Sequence, residues 1–318
     1  MFKLVVAAAA FLMILAQPAM ASQKSVKSVE LSAGAEALKL YQVKVIHGER
    51  KAASGLNRTY ALYVPQEVEG LPKHPFPLVV LIHGFLMTGA QQANNAENLA
   101  QRGFVVLTPD ITKVLLGDET RMNDVHDVID HISWLTGKDS PVPGVIDPNK
   151  VSVGGNSSGG AVILEVALEA QKAHIPIAAI VSLDGVIWDR SFDRVHLLEP
   201  LKILSLRCEP SICNEHARLM DHLQQIKFPI DDVKVIGAHH CDVENPTTIR
   251  CSCVCGTSHN KYRRIFAQLL YAWLRDNFNA PKFSESAPSF SKLVASFQTN
   301  HQVVARLDQP VTVELSSK

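Results

Sequence analysis

Short, nearly continuous apolar runs recur along the chain, separated by segments whose apolar residues follow helical spacing. Residues 78–82, 104–107, 151–153, 177–183, 201–206 and 233–236 are rich in Val, Leu and Ile, as expected of strands buried on both faces. Residues 41–46 and 59–64 alternate more, which predicts antiparallel strands at the start of the same sheet. Between these runs, Val125, Val128, Ile129, Ile132 and Leu135 recur every three or four positions, as do Ile265, Phe266, Leu269, Leu270, Trp273 and Leu274. Each series predicts one core-facing stripe on a helix. The alternation predicts an α/β fold, a mostly parallel central sheet with helices on both faces.

One strand candidate runs into an unusual turn. Val151, Ser152 and Val153 lead into Gly154-Gly155-Asn156-Ser157-Ser158-Gly159-Gly160, and a helix apolar on nearly all sides follows, with Ala161, Val162, Ile163, Leu164, Val166, Ala167 and Leu168. A serine at the tip of a tight strand-to-helix turn needs glycine two residues before and two after, because a side chain there would collide with the turn. Gly155 and Gly159 hold those places around Ser157. A glycine-rich turn that only joins a strand to a helix has the same look, so the partners of Ser157 decide its meaning.

A serine hydroxyl becomes a good nucleophile when a histidine takes its proton, and a carboxylate must fix that histidine's tautomer. His239 and His240 follow the last core strand, at the place where this order of residues puts the base. For the acid, the run 177–183 ends directly in Asp184; Glu209, after the next strand, is the rival position. Asp242 and Glu244 follow the histidines too closely and are read as loop-shaping. The oxyanion of an attacked carbonyl needs two aimed N–H groups. Ser158, at the head of the helix, supplies one, and Phe85, in the loop His83-Gly84-Phe85 after residues 78–82, supplies the other. His83 is read as a hydrogen-bonding structural residue.

The 31 basic residues balance the 31 acidic ones, which points away from nucleic acid and toward a small or neutral partner. Lys3, the apolar stretch 4–16 and Ala19-Met20-Ala21 read as an export signal at 1–21, cleaved before Ser22 and leaving no transmembrane anchor. No repeat or long linker divides the mature chain, so residues 22–278 are expected to form one catalytic domain, with 279–318 a tail of open role that carries a strand candidate at 311–315.

Export changes the reading of the six cysteines, because an oxidising compartment favours disulfides. The Cys251, Cys253, Cys255 spacing matches no standard zinc pattern. Six cysteines allow fifteen pairings; the expectation is Cys208 with Cys213, and Cys241 with one of the final three.

With His83-Gly84-Phe85, Gly155-Asn156-Ser157-Ser158-Gly159, Asp184 and His240 in this order, residues 41–278 resemble the α/β-hydrolase superfamily. The resemblance is to the branch of platelet-activating-factor acetylhydrolases, chlorophyllases and cutinase-like polyester hydrolases. Acetylhydrolases and chlorophyllases are similar in placing the acid soon after the nucleophile, which favours Asp184, 27 positions after Ser157. The Gly-Ala-x-His stretch is similar to the histidine loop of the polyester hydrolases and favours His240 over His239. Asn156 stands where the family often has histidine. The resemblance implies hydrolysis of a small-molecule or lipid-like ester through an acyl-serine, with neither metal nor organic cofactor. Acyl transfer, peptide cleavage and a non-catalytic binding role on the same scaffold stay open, as does the oligomeric state. Residues 186–200, with Ile187, Trp188, Phe192, Leu197 and Leu198, are read as pocket wall or ordinary core, and Leu86 and Met87 as further candidates for the cleft.

Overall fold

The structure, a computed structural model, describes residues 39–112, 118–187, 193–280 and 287–309. The expected export signal at 1–21, Trp188, Phe192 and the strand candidate 311–315 lie outside the described residues.

Among the described residues, nine strands form one sheet: β1 (Gln42–Lys51), β2 (Asn57–Gln66), β3 (Phe76–Ile82), β4 (Val105–Pro109), β5 (Ile146–Asn156), β6 (Ala179–Leu183), β7 (Lys202–Arg207), β8 (Ile230–Val235) and β9 (Val303–Gln309). Their order is β1-β2-β4-β3-β5-β6-β7-β8-β9. The pairs from β4 through β8 are parallel, while β1, β2 and β9 are antiparallel to their neighbours. The α-helices among the described residues are α1 (Ala93–Ala100), α2 (Asp118–Thr136), α3 (Gly159–Lys172), α4 (Leu219–Leu223), α5 (Ile249–Cys255), α6 (Asn260–Phe278) and α7 (Phe290–Thr299), and short 3-10 turns include Ile212–Ala217 and His240–Val243. This is the α/β architecture that the alternating apolar runs predict.

The strand period of two divides the core into two layers. Leu78, Val80 and Ile82 of β3 join one cluster with Val125, Val128 and Ile132 of α2 and Val162 and Val166 of α3. Val79 and Leu81 face the opposite way, against Leu99 of α1, Leu269 and Trp273 of α6 and Val294 of α7. Successive side chains of a strand point to opposite faces, so a strand covered on both faces must be apolar at every position. All seven residues of β3 are buried.

The segment after Phe278 adds to this sheet. Beyond α6 the chain forms α7 and returns as β9, with Val303 opposite Val235 and Ala305 opposite Val233. The β9 pairing covers the free edge of β8, the strand from which the His239-His240 loop emerges. Covering an edge satisfies its backbone groups and fixes the strand end.

Candidate active site

The glycines around Ser157 are required by contact. A Cβ on Gly155 would lie 2.2 Å from the Gly159 carbonyl oxygen, and one on Gly159 would lie 2.9 Å from the His83 carbonyl oxygen. Ser157 itself adopts φ 52°, a left-handed conformation that raises its side chain out of the turn. Two hydrogen bonds fasten the turn to its neighbours: Ser157 N–H donates to Leu183 O at 3.2 Å, and Val186 N–H donates to Ser157 O at 2.7 Å. Ser157 therefore sits at the carboxyl edge of the parallel strands, between the ends of β3 and β6.

His240 and Asp184 converge on it. His240 Nε2 is 2.8 Å from Ser157 Oγ, and His240 Nδ1 is 2.6 Å from Asp184 Oδ2. The side chains of His240 and Asp184 are 4% and 3% exposed, so little water competes for these bonds. With Nδ1–H donating to the carboxylate, the Nε2 lone pair faces the serine hydroxyl. Asp184 also has positive φ, 47°, as the strand β6 turns sharply at its end. Its Oδ1 accepts from Cys208 N–H at 2.9 Å, and Asn214 Nδ2 lies 3.1 Å from Oδ2 and 3.3 Å from Oδ1. Separate strand ends and loops thus deliver one hydrogen-bonded line: a hydroxyl, an imidazole and a carboxylate.

The loop after β3 is pressed against the serine. A Cβ on Gly84 would come within 2.9 Å of Ser157 Cβ and 3.0 Å of Asn156 Oδ1. Phe85 lies inside the turn that Met87 N–H closes on Gly84 O at 3.2 Å, with Leu86 at φ 59°. Phe85, Leu86 and Met87 are half-buried. Ser158 precedes the first turn of α3, whose amide dipoles favour negative charge at that end. His83 is fully buried and anchors the loop: Ile111 N–H donates to its Nε2 at 3.0 Å, so Nδ1 carries the proton and donates to Gly84 O at 2.8 Å. Burial lowers its pKa and keeps the ring neutral.

The rival residues lie elsewhere. Glu209 turns to Lys234 Nζ at 3.0 Å and accepts Gly237 N–H at 3.1 Å. Burial works to raise its pKa, but those partners and the Arg207 charge outweigh it, and the carboxyl is held below the usual range. His239 is exposed and its Nδ1 is 2.9 Å from Thr257 O. Asp242, fully buried, accepts from the His239 N–H, the His259 N–H and the Ser258 hydroxyl. It ties the histidine loop to the start of α6. His239, Asp242 and His259 are close enough to offer one ligand atom each to a metal, but that carboxylate is already engaged three times by its own loop. Of residues 186–200, Ile187, Val195 and Leu198 belong to the core and Leu197 is exposed. Surface cavities of 190 Å³ beside Lys150, Lys202 and Phe278, and of 330 Å³ beside Ile46, Phe76 and Val145, do not include Ser157.

The expected Cys208–Cys213 bridge is not formed. The disulfides are Cys213–Cys255 and Cys241–Cys251, the second matching the expectation for Cys241. Cys208 follows β7 with its thiol buried and aimed at His239 O, 3.1 Å away. Burial, and after it the Asp184 charge, push that thiol pKa well up, so it remains a hydrogen-bond donor. Cys213 instead faces α5. Asn214, the partner of Asp184, is not singled out by sequence; the Ser211-x-x-Asn214 spacing announces a turn, and nothing in it points to a carboxylate.

Comparison with known proteins places the chain in a family. A chlorophyllase family model matches residues 33–209, more than half of the chain, and the matched segment holds Ser157 and Asp184. Chlorophyllase-2 of Arabidopsis thaliana is 25% identical over 116 residues, 35% of this chain and 36% of that protein. Carboxylesterase 3B of Mus musculus is 29% identical over 138 residues, 41% of this chain and 23% of that protein. The chain thus spans only about a third and a quarter of the lengths of these curated relatives. By the family match and by its sheet, the chain belongs to the chlorophyllase family, ester hydrolases of the α/β-hydrolase superfamily.

Proposed function

We propose that the chain is a serine ester hydrolase in which Ser157 is the nucleophile, His240 the base and Asp184 the acid. The observation that carries the reading is the unbroken line from Ser157 Oγ through His240 to Asp184, with bonds of 2.8 and 2.6 Å in a buried setting. As Oγ attacks an ester carbonyl, His240 Nε2 takes its proton, and Asp184 stabilises the imidazolium. The carbonyl oxygen gains a negative charge, which the N–H groups of Ser158 and Phe85 stabilise at the head of α3. Collapse breaks the ester C–O bond, and His240 returns the proton to the leaving alkoxide. Water, deprotonated by the same histidine, then opens the acyl-serine and releases the acid.

The substrate class is a small-molecule or lipid-like ester. Residues 1–21 direct export, and the two disulfides fit an oxidising destination. The test is turnover of p-nitrophenyl esters of increasing acyl length by the chain beginning at Ser22, beside Ser157→Ala, with fluorophosphonate labelling as a second readout. Turnover and labelling that both vanish in Ser157→Ala are expected. A folded parent that neither turns over any ester nor labels would sink the reading, and product transfer to added alcohols would redirect it to an acyltransferase.

A further inference from the structure

We infer that Asn214 is a positioning residue for the acid of this site, holding the Asp184 carboxylate so that Oδ2 meets His240 Nδ1. The inference rests on the proposed roles of Asp184 and His240 and adds a residue that those roles do not require.

Asn214 is 1% exposed, and every polar atom of its amide is committed. Its Oδ1 accepts from Ser211 N–H at 2.8 Å and from Ala217 N–H at 3.1 Å. Its Nδ2 points to Glu209 O at 2.9 Å and to both carboxylate oxygens of Asp184. Two N–H donors behind the oxygen and three acceptors before the nitrogen leave the amide only one orientation. A residue that merely closes a turn needs only the oxygen half of this arrangement. The nitrogen half is aimed at the acid.

The loop around it is held in an uncommon form. Glu215, His216 and Ala217 all have positive φ, 48°, 58° and 63°, and none is glycine. Left-handed backbone is unfavourable for any residue with a Cβ, so three in succession need external support. His216 N–H donates to Ser211 O at 2.7 Å, and the residue before Asn214 is bonded covalently to α5 through Cys213–Cys255. This backbone is what turns the Ala217 N–H onto Asn214 Oδ1 and leaves Nδ2 facing Asp184. Without the amide, the carboxylate loses a side chain that reaches both its oxygens, while Cys208 N–H on Oδ1 and His240 on Oδ2 remain and hold it less firmly.

The test compares Asn214→Ala and the near-isosteric Asn214→Asp with the parent, using p-nitrophenyl acetate across pH, with folding checked by circular dichroism. For Asn214→Ala, kcat should fall about 10- to 100-fold, the range for a lost hydrogen bond to a charged group, with KM within about twofold. For Asn214→Asp, two carboxylates about 3 Å apart favour every positive charge near them; the charged and titratable groups facing the pair are His240, Arg207, Cys208 and Glu209, and of these His240 is bonded directly to Asp184. The acid limb of kcat/KM should therefore move up by about one pH unit. A residue that only shapes the loop would lower the folded fraction and leave both kcat per folded molecule and the limb unchanged; that outcome overturns the inference. The downfield NMR signal of the proton shared by His240 and Asp184 gives a readout independent of turnover. It should shift or vanish in Asn214→Ala and stay in place in Glu209→Gln. Absence of turnover in the parent counts against the hydrolase reading alone, whereas an unmoved proton signal in Asn214→Ala counts against the role of Asn214.

Discussion

Cys241, the residue after His240, is disulfide-bonded to Cys251 in α5, and Cys255, one turn later in that helix, holds Cys213, the residue before Asn214. A seven-residue helix is thus tied covalently to the loop of His240 and to the loop of Asn214. The two closed loops, with sequence separations of 10 and 42, are worth about 3 and about 4 kcal/mol by restricting the unfolded chain. Replacing Cys241 and Cys251 by serine should cost about 3 kcal/mol in urea denaturation and lower ester turnover by about tenfold through a looser His240. Cys253→Ser, at an exposed free thiol, should change neither. Reduced protein with the stability and turnover of the parent would refute the tether.

The acid can be identified by exchange. Asp184→Asn puts an amide where His240 needs a carboxylate, and kcat should fall about 10³- to 10⁴-fold, the scale seen when a triad loses its acid. Glu209→Gln removes a partly exposed contact with Lys234. It should leave kcat within about twofold and cost at most about 1 kcal/mol. The reverse ranking would assign the acid to Glu209.

The parts of the site fixed by local sequence were legible, and the parts fixed by packing between loops were not. Gly155 and Gly159 mark the turn because backbone contacts of 2.2 and 2.9 Å exclude any side chain there, a constraint that leaves a pattern in five residues. Asp184 was marked by an apolar strand that ends in an acid. The disulfides leave no such trace. Cys208 and Cys213 are close in sequence, yet the chain leaving β7 buries Cys208 beside His239 while the next loop carries Cys213 to α5. Asn214 leaves no signal for the same reason, since its partner lies 30 positions away on another strand end.

His83 tests how the loop after β3, with the proposed oxyanion donor Phe85, is held. In His83→Ala, Ile111 N–H loses its acceptor and Gly84 O its donor, both in a fully buried place. A loss of about 2–4 kcal/mol is expected from the unsatisfied groups and the cavity, with a larger drop in kcat than in affinity because Phe85 shifts. The pH dependence has a definite sign. The ring is kept neutral in the fold, with its pKa lowered by burial, so the unfolded chain binds the extra proton. The parent should lose stability as pH falls below the ordinary histidine value of 6.5, and this contribution should be absent in His83→Ala. Equal acid sensitivity of the two proteins in urea titrations would assign the loss to other groups.

Glu244, four residues after His240, gives the opposite sign. It is fully buried, Thr247 Oγ1 reaches its Oε2 at 3.4 Å, and its Oε1 has no hydrogen-bond partner among the described residues. Burial raises its pKa to about 7, even though His240 and the Thr248 backbone act to lower it. A carboxyl with an ordinary value of 4.5 in the unfolded chain and about 7 in the fold holds its proton longer when folded. Its stabilising contribution is complete below pH 4.5, declines as pH rises, and is lost above about 7, a change on the order of 3 kcal/mol. Glu244→Gln keeps the shape and removes the ionisation. The variant should match the parent in urea at pH 4 and exceed it by up to about 3 kcal/mol at pH 8. A difference that is the same at both pH values would mean that the glutamate is not being forced to ionise in a buried place, and that Gln acts through packing alone.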